Sequence, residues 1–89
     1  MKITNSLKEK LEGIFKSLEY VIRYEKGNFN SGYCILENKN VIVINKFFPL
    51  ESKVNTLIEI LRQIDIDQTL LDKKQLKLIE QLNQTELKF

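Results

Sequence analysis

The chain has no histidine, no tryptophan and no alanine, and only one cysteine and one proline in 89 residues. Without histidine it lacks the side chain that most often serves as general base near neutral pH and as nitrogen ligand to transition metals. The lone Cys34 makes neither an internal disulfide nor a paired-cysteine zinc site. No serine therefore has a histidine base, Cys34 has none either, and no aspartate cluster has calcium-loop spacing. These absences predict a protein with no catalytic residues, no metal ligands and no cofactor. It is not expected to be an enzyme. No apolar run approaches the ~20 residues a membrane-spanning helix needs, and residues 1–8 lack the apolar core of a signal peptide. A cytoplasmic location is the expectation.

What is present has an ordinary globular balance, with 43% hydrophobic and 29% charged residues. A chain of 89 residues is one domain, large enough for a single core without metal or disulfide support. We expect that core to occupy about residues 6–83, with the last residues fraying. A net charge of +2 is too weak to imply nucleic acid by itself. Lysine far outnumbers arginine, and isoleucine and asparagine are plentiful. That bias suits an AT-rich bacterial genome.

Over residues 6–18 the apolar positions Leu7, Leu11, Ile14, Phe15 and Leu18 draw one helical stripe. Ser6 followed by Glu9 reads as its capping box, while Gly13 weakens it or admits a close neighbour. Three strands are predicted at 20–24, 32–37 and 40–45, from β-branched and aromatic runs. Asn38-Lys39 has the length of a hairpin turn, and a longer loop joins the first two strands. Pro49 ends the sheet region. Leu50, Val54, Leu57, Ile58, Leu61 and Ile64 form a second helical stripe, and a third helix is expected from Thr69, with Leu71, Leu76, Ile79 and Leu82 on its apolar side. The expected fold is α+β in the order α-β-β-β-α-α, a three-stranded antiparallel meander with the first two helices on one face. Leu11, Ile14, Phe15, Leu18, Ile22, Leu36, Ile42, Ile44, Leu57 and Leu61 are its predicted core.

Val41-Ile42-Val43-Ile44 is apolar on both faces, unlike a strand with one wet side. Two readings stand. In one, the third helix or an N-terminal tail covers the second sheet face. In the other, that face or the strand edge is a surface for a protein partner or for a homodimer. The second reading selects Phe29, Tyr33, Ile35, Val41, Val43 and Phe47 as candidate interaction residues. A different class, single-stranded nucleic-acid binding, would use Arg23, Lys26, Lys39 and Lys46 with interleaved aromatics. Glu19, Glu25, Glu37 and Glu51 dilute that charge. The loop around Gly27 and Gly32 joins two strands and lacks P-loop spacing, so phosphate binding is disfavoured. Glu59 stands mid-helix between Ile58 and Ile60, where a surface glutamate is the simpler reading than a catalytic one.

The stretches Tyr24-Glu25-Lys26-Gly27-Asn28-Phe29-Asn30-Ser31-Gly32-Tyr33-Cys34 and Val43-Ile44-Asn45-Lys46-Phe47-Phe48-Pro49-Leu50-Glu51 resemble a family of short uncharacterised bacterial proteins common in the Bacteroidetes. The resemblance covers about residues 7–65 and brings no activity. A second resemblance is to the ImmA/IrrE-type metallopeptidase scaffold, in which a strand of type I-x-I-N precedes a proline turn and a helix bearing T-L-x-H-E-x-x-H. Ile42-Val43-Ile44-Asn45, Pro49 and Thr56-Leu57-Ile58 follow that layout. Glu59 stands at the first histidine, Ile60 at the general base and Gln63 at the second histidine. The resemblance therefore implies a scaffold from which zinc and hydrolysis have been lost together.

Overall fold

A computed structural model describes residues 2–27, 32–36 and 39–84, with residues 32–36, 39 and 84 described by backbone alone. Helix α1 (Asn5–Ser17) starts earlier than the Ser6–Glu9 pair suggested. Thr4, in extended conformation, accepts from the Leu7 N–H at 3.1 Å and its carbonyl takes the Lys8 N–H. A cap at Thr4 does for the Leu7 N–H what one at Ser6 would do for the Glu9 N–H, and it gains extra helical residues. The helix ends at Leu18, and Glu19 reverses the chain with φ of 67°.

The sheet overturns the expected meander. Strands β1 (Tyr20–Glu25), β2 (Gly32–Leu36) and β3 (Lys39–Asn45) lie in the order β1-β3-β2. β1 runs parallel to β3, and only β2 is antiparallel to it. The physical reason lies in β3 itself. A meander puts β2 in the centre and leaves the doubly apolar Val41–Ile44 run on an edge, whereas the observed order flanks it on both sides. The connection over residues 26–31 permits this. Its extended reach of roughly 20 Å exceeds the roughly 10 Å across two strand spacings. Of the predicted turn Asn38-Lys39, Lys39 instead opens β3 opposite Leu36, and Asn38 lies outside the described residues.

Asn45 secures the crossover. It is 5% exposed, its Nδ2 donates to the Gly27 carbonyl at 2.8 Å, and its Oδ1 accepts from the Phe47 N–H at 3.0 Å. The Lys46 N–H adds a bond to the Glu25 carbonyl at 2.8 Å. One buried side chain thus ties the loop leaving β1 to the turn leaving β3.

Helix α2 (Leu50–Gln63) begins at Pro49, which caps with no side-chain bond but whose fixed φ and missing N–H suit a helix start. The third helix begins later than Thr69. Asp67 captures the Thr69 N–H in a single 3-10 turn (Gln68–Leu70), Leu71 is extended, and α3 (Lys73–Gln84) follows. Asp72 and Gln75 cap α3 reciprocally, at 2.8 and 3.1 Å.

Leu11, Ile14, Phe15, Ile42, Ile44, Val54 and Leu57 are fully buried where α1 and α2 meet one sheet face. Predicted core residues Leu18 and Leu61 are buried too, Ile22 is half-buried, and the side chain of Leu36 lies outside the description. Phe15 meets Tyr20 edge-to-face with ring centroids 5.6 Å apart. At 100° per residue, the side of α1 that meets the sheet (Glu12, Phe15) lies opposite the side that meets α3 (Gly13, Ser17). Gln75 donates to Ser17 at 3.1 Å, and Arg62 donates to the Leu82 carbonyl at 3.2 Å. α3 therefore packs on the helix layer, away from the sheet, and does not cover the second sheet face. Gly13 is not needed for that packing, because a Cβ there would come no closer than 4.0 Å to Gln75.

Candidate interaction surface

The sheet face that carries no helix among the described residues follows from strand alternation. On β1, Tyr20, Ile22 and Tyr24 pack against the core, so Val21 and Arg23 point the other way. Register places Val21 beside Val41 and Arg23 beside Val43. Val21 is 44% exposed and Val43 half-buried, but Val41 is only 6% exposed. Flanked on both sides in the central strand, Val41 offers little contact area, unlike the exposed residue its pattern suggested.

The candidate interaction residues do not form one row. Tyr33 and Ile35 pair with Ile42 and Asn40, whereas Val41 and Val43 pair with Cys34 and Gly32. Paired residues share a face. By register, then, Tyr33 and Ile35 belong to the opposite row from Val41 and Val43. Phe29 lies outside the described residues. Phe47 is 70% exposed in the turn that follows β3.

The candidate nucleic-acid residues divide as well. Parallel pairing brings the ends of β1 and β3 together at Glu25 and Asn45, so exposed Lys26 and Lys46 leave the sheet side by side. Arg23 is paired with Glu25 at 3.0 Å. Lys39 begins β3, roughly 20 Å from Lys46 along the strand. Three of the four cations, Arg23, Lys26 and Lys46, thus gather near the corner where Phe47 is exposed, and Lys39 does not.

A polar cluster closes the gap between β1 and the helices. The Tyr24 hydroxyl donates to Glu12, and the ammonium groups of Lys8 and Lys53 stand 5.4 and 5.7 Å from its ring centroid. Desolvation, then the Glu12 hydrogen bond and charge, push the Tyr24 pKa well above its ordinary value. The phenol holds its proton throughout the neutral range.

Of the positions singled out by the metallopeptidase resemblance, Glu59 and Gln63 are exposed on α2 and Ile60 is buried. Among the described residues, no group of three or more Cys, Asp or Glu side chains is placed to hold a metal ion, and no helix is long and apolar enough to cross a membrane. Val21 is the surface residue that sequence reasoning passed over. The signal was available in Tyr20-Val21-Ile22-Arg23-Tyr24, where alternation puts Val21 with Arg23 rather than with Ile22. Comparison with protein-family models, curated proteins and solved structures finds no match for this chain.

Proposed function

We propose that this chain is a small, non-catalytic, cytoplasmic interaction domain that docks a protein partner at the corner where β1 and β3 end. The exposure of Phe47 carries this reading. A large aromatic side chain left in water two residues past the end of β3, the strand whose Val43 shares the helix-free face with Val21, is an unused source of binding energy. Burying such a side chain is worth about 1.5–3 kcal/mol, enough to act as an anchor. Arg23, Lys26 and Lys46 supply a polar, cationic rim that orients a partner without entering the apolar centre. A second copy of the chain is one such partner, since a two-fold contact needs only one self-complementary patch.

The test is a pull-down from the native organism with the wild type and a Phe47→Ser/Val21→Asp variant, beside analytical ultracentrifugation of both. Both positions are exposed, so the variant should keep its melting temperature. Loss of a specific partner, or of a dimer, supports the reading. Identical partners and identical mass for the two proteins overturn it.

The cationic corner keeps a nucleic-acid reading in view, because Lys26 and Lys46 flank an exposed aromatic. Gel shifts with single-stranded oligonucleotides at two salt concentrations separate the two readings. Tight, steeply salt-dependent binding lost in a Lys26→Gln/Lys46→Gln variant favours nucleic acid.

A further inference from the structure

Between α1 and the first turns of α3 lies a cleft of about 370 Å³. It stands apart from the sheet corner, on the far side of the helix layer. Its size falls near the lower end of the roughly 300–1,000 Å³ typical of small-molecule sites. A small ligand fits it better than a peptide.

The chemistry of its walls is uneven. Gly13 leaves the α1 side open where a side chain would otherwise fill the space, and half-buried Leu78 supplies apolar surface from α3. The amide of Gln75 is partly engaged, its oxygen accepting from the Asp72 N–H and its nitrogen donating to the Ser17 hydroxyl, and the exposed Gln81 adds a second amide to the lining. Asp72 is the one carboxylate in the lining, and it already accepts from the Gln75 N–H. Most of the surface in the trough is nevertheless carbon, including the stems of the lysines that border it.

The rim is cationic. Lys10 comes from α1, and Lys74 and Lys77 come from one face of α3, three residues apart. Among the described residues none of these lysines forms an ion pair within 4.0 Å; the one such pair is Arg23–Glu25, on the sheet. Three ammonium groups around one engaged carboxylate repel each other mildly, and a bound anion would relieve that repulsion. An apolar trough with a cationic mouth is complementary to a short amphiphile with an anionic head.

From this juxtaposition we propose that the α1–α3 cleft binds a medium-chain carboxylate, its chain along Gly13 and Leu78 and its head among Lys10, Lys74 and Lys77. Binding is non-covalent and needs no other group. It is independent of the sheet corner, so either proposal stands if the other fails.

The experiment is an NMR titration of the ¹⁵N-labelled protein with decanoate, with decanol and acetate as controls. Saturable shifts centred on Gly13, Gln75 and Leu78 at sub-millimolar decanoate are expected. Decanol should bind at least about tenfold more weakly, because it forfeits charge-assisted contacts, and acetate should not saturate. Lys10→Gln/Lys77→Gln, two exposed positions that leave the fold intact, should weaken decanoate about tenfold or more. Gly13→Leu should abolish binding by filling the trough. If it unfolds the protein, the lysine variant still decides. No saturation by 1 mM decanoate, shifts centred elsewhere, equal binding of decanol, or indifference to the lysine changes would each overturn the proposal.

Discussion

Helices α1 and α3 have nearly the same length, 13 and 12 residues, and both are amphipathic, yet the fold uses them very differently. α1 packs against both the sheet and α2, and its Leu11, Ile14 and Phe15 are wholly removed from water. α3 lies outside that layer. Among the described residues of α3, Leu82, 2% exposed, is the one buried anchor, while Leu76, Leu78 and Ile79 are only partly covered. Clefts flank α3 on two sides, one beside α1 and one between Ile66, Leu76 and Ile79. An apolar stripe says that a helix has a side to bury. How completely it is buried depends on how many layers reach it.

If α1 is the keystone, truncating it should fail globally. Phe15→Ala removes a buried ring from the α1–sheet contact and should cost about 3–5 kcal/mol, a large part of a small domain's stability. Urea denaturation followed by circular dichroism measures it. A loss below about 1 kcal/mol would mean that α1 is no more deeply embedded than α3.

Leu82→Ala is the matching cut on the other side, with an expected cost of about 2–3 kcal/mol. Its effect should be regional. Native-state hydrogen exchange should show α3 amides losing protection while those of β3 keep theirs, because sparsely packed elements open on their own. Uniform loss across both elements would break the distinction.

A subtler probe is pH. The proton that Tyr24 donates to Glu12 ties β1 to α1. Unfolded tyrosine ionises near pH ~10, whereas folded Tyr24 holds its proton well beyond that, chiefly through desolvation. Above that pH the unfolded state binds fewer protons than the folded state, so stability falls as pH rises. The contribution is fully present below pH ~10 and lost as pH climbs toward the folded value. The stability gap between wild type and Tyr24→Phe should therefore narrow from pH 9 to pH 11, read from urea midpoints. A constant gap would remove Tyr24 from that role.

The smallest expected effect is a gain. Gly13 has helical backbone and room for a methyl group, so Gly13→Ala should stabilise by about 0.5–1 kcal/mol. A melting temperature that falls instead would show that α3 needs the missing side chain after all.

The elements were legible because their signals are local. Leu7, Leu11, Ile14 and Leu18 repeat at helical spacing, Val41 to Ile44 is β-branched throughout, and Pro49 separates the two regimes. Even so, local signals misplaced the cap. Ser6–Glu9 and Thr4 are both competent, and the choice depends on where the preceding chain can become extended. Strand order left one trace in the sequence, the doubly apolar Val41–Ile44 run that suits a central strand, but no local signal for the topology. The link over residues 26–31 is compatible with a hairpin or with a crossover, and only the competition for the central position chose between them. The same event brought Lys26 and Lys46 side by side and flanked Val41, whereas Lys39 stands apart from Lys46 simply because the two mark opposite ends of β3, so the candidate surface was only partly readable in advance.

By itself the sequence determined that this protein is α+β, that three helices and three strands follow one another in this order with their ends only approximately placed, and that its core rests on the stripes of α1 and α2. Those properties depend on residue type and on spacing along the chain, and both are present before folding. Tertiary structure alone decided that β3 lies between β1 and β2, that Asn45 is buried as the latch of the crossover, and that α3 sits on the helices rather than on the sheet. These outcomes turn on which apolar surface each element finds first covered by another, a property of the whole assembly that no single segment carries.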